Sequence, residues 1–334
     1  MRWWKVALMA VLLMALIVAG SYGYWRYRMQ APIALEQSRV FEVMPGSGAR
    51  QVIDRLAEQG IIDHRWPYRV VGVLEPQQLR HLRAGEFRLQ PGMNAHQLLA
   101  KLSSNDIVTY ELTIPEGWTL DRMRQRIDQT SRLAHDTRGM SDQALMEALG
   151  HGDQQGEGRF FPSTYRYHKG TSDLDIYRRA YARMQQEVQQ AWSTRHEDLP
   201  IDTPYQALIL ASLIERETGV PEERARIAGV FVRRLERGMR LQTDPTVIYG
   251  LGEAYDGSLS RADLQKATAY NTYVIHGLPP TPIAMPGRDS LRAAVNPADG
   301  NSLYFVARGN GEHHFSATLK EHNAAVRRYI LDRQ

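Results

Sequence analysis

Two glutamates, Glu215 and Glu217, close a stretch of sequence that is otherwise free of charge: Ala207 to Ile214 are eight consecutive apolar or small residues. A helix that is apolar on all sides is a covered helix. The pair therefore stands in the last turn of a buried segment, where the negative end of the helix dipole disfavours a carboxylate. Desolvation acts in the same direction, and whichever carboxyl is buried should carry a raised pKa. A carboxyl that stays neutral at working pH is what a general acid requires. Two residues correspond to about 200° around the helix axis, so the side chains point to nearly opposite sides and only one can face a given cleft. Glu215 stacks over Ala211 and Ser212, whose small side chains leave space beside it. Glu217 stacks over Leu213 and Ile214, which read as packing. The spacing favours Glu215 as the catalytic group, with Glu217 and Ser212 in supporting positions. The plainer alternative is a helix-end ion-pair network with Arg216, Arg224 or Arg226.

Other polar groups gather on segments rich in turn formers. Gly238 to Gly250 reads as a strand-like loop offering Gln242, Thr243 and Asp244, and Ala269 to Tyr273 offers Tyr270, Asn271 and Thr272. Gly277 to Gly287 adds further rigid turns, and Arg159 to Tyr167 adds aromatic faces, among them Phe161 and Tyr165. Amides and hydroxyls beside ring faces are how proteins hold sugars, and loops of this kind commonly carry function. No metal site is expected, because His313, His314 and His322 offer no ligand spacing with nearby carboxylates; His313 and His314 read as surface and strand edge. The absence of cysteine excludes a disulfide framework, an iron–sulfur cluster and a thiol nucleophile.

The elements that must position these groups follow from periodicity. Phe41 to Leu56, Phe87 to Leu102 and Leu112 to Met123 each read as an apolar strand, a Pro-containing turn with glycine, and an amphipathic helix. Ser47, Asn94 and Thr119 follow the turn glycines and are placed to cap the helix starts. Helical spacing also appears over 74–83, 120–127 and 141–149, and Tyr177, Tyr181, Met184, Val188 and Trp192 mark a long amphipathic helix. Gly219 is expected to end the glutamate helix in a left-handed cap, with Pro221 starting the next. Val6 to Trp25 is 20 residues without a charge, the length a helix needs to cross a bilayer. Trp3, Trp4, Tyr22, Tyr24 and Trp25 sit at its ends, where aromatic rings favour the headgroup region. Arg2 and Lys5 against Arg26 and Arg28 weakly favour an internal N-terminus. A cleaved export signal is the alternative, for which Ala19-Gly20-Ser21 is a poor processing site. The mixed-sign charge, 41 basic against 37 acidic residues, shows no basic and aromatic stripe, so nucleic-acid binding is not expected.

Six stretches together resemble the endolytic murein transglycosylase family, the YceG-like proteins: Ala211–Thr218 (ASLIERET), Arg240–Gly250 (RLQTDPTVIYG), Leu259–Leu264 (LSRADL), Tyr270–Tyr273 (YNTY), Gly277–Pro280 (GLPP), and Leu303–Val306 (LYFV) followed by His314-Phe315 and His322-Asn323. The resemblance implies an α+β fold: a cytoplasmic N-terminus (1–5), a transmembrane helix (6–25), a tether (26–37), a small LysM-like module (38–105) and a larger catalytic domain (106–334). The module is either a spacer or a glycan-binding unit. The implied activity is cleavage of the β-1,4 bond between N-acetylmuramic acid and N-acetylglucosamine in nascent strands, ending in a 1,6-anhydro sugar. The first glutamate of the Glu-x-Glu pair, Glu215, is implied as the single acid/base, with Gln242, Thr243, Asp244, Tyr270, Asn271, Thr272, Phe161 and Tyr165 as binding groups and no cofactor. Implied partners are the peptidoglycan strands and the peptidoglycan synthases (penicillin-binding proteins), reached from the outer face of the cytoplasmic membrane. A water-using muramidase and a non-enzymatic peptidoglycan-binding scaffold are the rival readings.

Overall fold

A computed structural model describes residues 3–331; Arg2, used in the orientation reading, lies outside them. The fold is mixed α+β with an apolar N-terminal helix and three small two-stranded sheets. It divides into two compact units, one running to Tyr110 and including Arg166–Gly170, the other comprising Glu111–Tyr165 and the chain from Thr171 onward.

In the first unit, α1 (Trp3–Gln30) is a single 28-residue helix. It is the one helix among the described residues long and apolar enough to cross a membrane. Its apolar run is exposed as far as Tyr24, after which Trp25 and Met29 are buried. Residues 26–30 of the expected tether continue α1, and within the segment 26–37 Met29 and Ile33 are buried. Trp25 donates its indole N–H to the Pro67 carbonyl at 2.9 Å, Tyr24 stacks on Trp66, and Ile33 is buried with its N–H on Met93 O at 2.7 Å. The apolar side chains of Met29 and Ile33 find a core there, which a polar reading of this stretch overlooks.

Two copies of the strand–turn–helix unit build that core. They are β1 (Arg39–Val43) with α2 (Ala49–Glu58), and β2 (Gly85–Leu89) with α5 (Ala95–Ser103), separated by α3 (Trp66–Leu74) and the short α4 (Gln77–Arg80). The helix expected over 74–83 is reduced to the four residues of α4, since α3 already ends at Leu74 and Pro76 supplies no N–H to carry it on. β1 and β2 pair antiparallel with Phe41 opposite Phe87, both fully buried. Asn94 caps α5 by accepting Gln97 N–H. At α2 the cap is Gly48, whose N–H donates to the Gln51 side chain, one residue beyond the expected Ser47.

β3 (Tyr110–Thr113) runs from the end of the first unit into the second, where α6 (Leu120–Asp128) completes the third copy with Thr119 as cap. Then come α7 (Asp142–Ala148), β4 (Thr164–Tyr167) paired with β3, and the long α8 (Asp173–Ser193). The central helix is α9 (Pro204–Glu217), in which Ala207 to Ile214 are all buried. Burial of each Leu or Ile here contributes about 1.5–3 kcal/mol. Around it pack α8, α10 (Arg224–Glu236), α11 (Asp244–Leu251) and α13 (Arg288–Val295), while α12 (Arg261–Gln265) lies against α11. A hairpin of β5 (Tyr304–Ala307) and β6 (His313–Ser316), then α14 (Leu319–Val326), complete the described chain.

Two local expectations are corrected. Helix α9 ends at Glu217 because Thr218 turns to extended backbone (φ −140°, ψ 138°), and Gly219 is not among the left-handed glycines. The second half of the strand-like loop is helix α11, started by Asp244-Pro245 in its first turn, where proline's fixed φ is pre-set for a helix.

Candidate active site

The two glutamates of α9 have separate surroundings. Glu215 accepts the Gly287 N–H at 2.9 Å and lies 3.7 Å from the Arg224 guanidinium, with its side chain 6% exposed. Gly287 is the N-cap of α13, so Glu215 supplies a negative group at the positive end of that helix. A side chain at position 287 would collide with the Glu116 carboxyl, which occupies the space above the glycine. Beneath Glu215, Ser212 is fully buried, accepting Ile283 N–H at 3.0 Å and donating to Ile209 O at 2.7 Å. The small residues beside Glu215 thus admit the 281–287 backbone.

Glu217 opens instead on a polar cleft of about 530 Å³ whose walls include Arg234, Gln242, Asp244, Tyr273, Tyr304, His313 and His322. Burial pushes its carboxyl up to about 7, opposed in part by the hydroxyl of Thr243 and reinforced by the charge of Asp244. Thr243 donates to Glu217 Oε2 at 2.8 Å. Tyr273 donates to Asp244 Oδ1 at 2.6 Å. Gln242 holds a left-handed backbone (φ 50°), a conformation that costs a non-glycine residue about 1 kcal/mol or more. It is fixed by Gln242 N–H on Thr272 O at 3.1 Å and by Arg234, whose guanidinium reaches the carbonyls of Leu303, Arg240 and Leu241 and the Gln242 side chain. The cleft can thus present a carboxyl that keeps its proton up to about pH 7 beside amide, phenol and imidazole groups.

The YceG-like family profile matches residues 41–328, most of the chain. The chain belongs to the YceG-like family. It is similar to the endolytic murein transglycosylase of Bacillus subtilis, 32% identical over 265 residues that make up 74% of this chain and 73% of the relative. It is also similar to that of Streptococcus pneumoniae strain D39, at 26% identity over 95% of this chain and 64% of the relative. A YceG-like protein of Listeria monocytogenes, known from its crystal structure, superposes with a TM-score of 0.52 at 28% identity, covering 87% of this chain and 99% of that one.

In this YceG-like chain the sequence-derived binding candidates fall into four groups. Gln242 and Asp244 line the cleft and Thr243 bonds Glu217. Asn271 and Thr272 are fully buried and act on backbone: Asn271 Nδ2 reaches the carbonyls of Asp263, Leu264 and Lys266, and Thr272 Oγ1 accepts Thr243 N–H at 3.0 Å. Tyr270 shares a hydrogen bond with Thr281. Phe161 and Tyr165 are packed inside, Phe161 in the core around α9, with the Tyr165 hydroxyl on the Phe161 carbonyl. Arg234 and Tyr304 were missed by sequence reasoning, as was the ring of His313, which faces Glu223 and the cleft rather than a free strand edge. Asp128, His135 and Asp173 bring ligand-type atoms within 4.8 Å of one another. Asp173 there already accepts the N–H groups of Asp136 and Thr137 and the Thr137 hydroxyl.

Proposed function

We propose that this chain is a membrane-anchored lytic transglycosylase of peptidoglycan, with α1 as its anchor, the 38–105 unit as its LysM-like module, and Glu217 as its general acid. The observation that carries this reading is the neutral-favouring carboxyl of Glu217 in a polar cleft walled by the very stretches that mark the family. The names of the Bacillus and Streptococcus relatives supply the substrate class. Glu215 is the first glutamate of the pair and the one the family resemblance marks. In this reading its carboxyl ties α9 to α10 and α13 through Arg224 and the Gly287 N–H.

The reaction follows from one proton. Protonated Glu217 donates to the oxygen of the bond between N-acetylmuramic acid and N-acetylglucosamine as positive charge develops at the anomeric carbon. The sugar's own 6-hydroxyl attacks that carbon and gives up its proton to a base in the cleft, giving a 1,6-anhydro end with no water consumed. Ordinary glycosidases divide the work between two carboxylates; an internal nucleophile removes the need for the second. Gln242, Asp244 and Tyr273 are the groups placed to bind the strand, on the outer face of the cytoplasmic membrane.

Mass analysis of muropeptides released from purified strands tests the proposal. Wild-type protein should leave anhydro ends, one water lighter than the reducing ends a muramidase would give. Glu217→Gln should abolish release while Glu215→Gln, if folded, retains it. The reverse pattern would return the role to Glu215, and binding without turnover in the wild type would favour a scaffold.

A further inference from the structure

We infer that His313 is a second proton-transfer group of this cleft, oriented by Glu223. The inference rests on the reading of Glu217 as the acid and adds the base. Glu223, in the 3-10 turn Pro221–Glu223, grips His313 twice: one carboxylate oxygen takes its backbone N–H at 2.8 Å and the other lies 2.7 Å from ring Nδ1. Both side chains are close to fully enclosed, 12% and 8% exposed. A carboxylate on Nδ1 fixes the proton there and leaves Nε2 as the working nitrogen. The ring packs edge-on against Phe305 and lines the cleft that contains Glu217. The charged or titratable groups sharing this cleft with it are Glu217 from α9, Arg234 from α10, Asp244 from α11, Tyr304 from β5 and His322 from α14, together with Tyr273.

The step balances as follows. The C1–O4 bond breaks with its electron pair going to O4, which takes the Glu217 proton. O6 forms the new bond to C1, and the 6-hydroxyl proton passes to His313 Nε2, whose imidazolium is neutralised by Glu223. Glu217 is left ionised and His313 protonated, and transfer of one proton between them through solvent restores both. Acid and base are then separate groups, and one carboxyl need not reach both O4 and O6.

The test compares His313→Gly, His313→Gln and Glu223→Gln in the full chain in detergent, with anhydro-muropeptide release as the readout. His313→Gly should lose roughly 100-fold in kcat, the usual worth of a positioned base, with KM changed by less than about threefold. Added imidazole should restore at least tenfold of that, still as anhydro product. Glu223→Gln, keeping the ring but not its partner, should shift the acidic limb of the pH–rate profile. Full activity of either His313 variant overturns the inference, as does a loss that imidazole does not repair while Glu223→Gln behaves as wild type. Should Glu217→Gln remain active, the underlying assignment of the acid fails instead, whatever the His313 variants do.

Discussion

The hydroxyl of Thr243 donates to Glu217 Oε2 at 2.8 Å, so the loop before α11 and the end of α9 meet at a single carboxylate oxygen. That bond favours the ionised form, while burial lifts the carboxyl to about 7. A general acid works when protonated, so turnover should fall about tenfold per pH unit above that value. Thr243→Val removes a donor worth about 1 kcal/mol, or about 0.7 pH unit, and the alkaline limb should move up by that amount. A profile of kcat/KM from pH 5 to 9 reads the shift, and a limb that stays in place would sink Glu217 as the titrating group.

Ser212 is predicted to be a structural hinge pin. Ser212→Ala leaves the buried Ile283 N–H without its acceptor, at a cost of about 1–3 kcal/mol. Thermal unfolding should show a clearly lower midpoint. An unchanged midpoint would mean the 281–287 segment is held by something else.

Glu157 is half-buried near the start of α6, accepting Leu120 and Gly158 N–H groups and the Tyr249 hydroxyl, and desolvation raises its carboxyl to about 7. Its folded value lies above its unfolded one, so the folded chain holds the proton more tightly. Stability from this group is full below about 4.5 and is lost as pH rises towards about 7, by at most about 3 kcal/mol. Glu157→Gln should flatten the fall of Tm across that window. Parallel Tm curves for the two proteins would contradict it.

Glu187 behaves in the opposite sense. The Arg288 guanidinium bonds both its oxygens and Arg183 adds a third contact, holding its carboxyl below the usual range and joining α8 to the start of α13. Its contribution is present above the unfolded value near 4.5 and is lost as pH falls through the depressed folded value. Glu187→Gln should cost about 1–2 kcal/mol at pH 7, with the difference vanishing in acid. A difference that persists at pH 2–3 would point to packing rather than charge.

Much of this fold is legible in the sequence because its signals are local. The three strand–turn–helix copies announce themselves through a turn with proline and glycine between two periodicities, and the opposite facing of Glu215 and Glu217 follows from helix geometry alone. What is not local is harder to read. Thr246, Val247 and Ile248 carry β-favouring side chains that conceal α11, whose start is set by Asp244-Pro245. Ala211 and Ser212 look like space left for a ligand, but residues three and four back along a helix say only what lies beneath a side chain, not which distant backbone fills the gap. That backbone is Ile283 to Gly287. His313 and Glu223 are ninety positions apart, so no spacing rule could join them.

Helix α1 enters the core of the first unit without a break, with Trp25 and Met29 enclosed there. Phase is therefore inherited: one residue inserted between Gly20 and Tyr24 would swing that unit about 100° around the helix and lift it about 1.5 Å, whereas four would bring it nearly back into register. Serving as the proposed anchor, such a helix would set azimuth as well as height, as a keyed shaft does and a rope cannot.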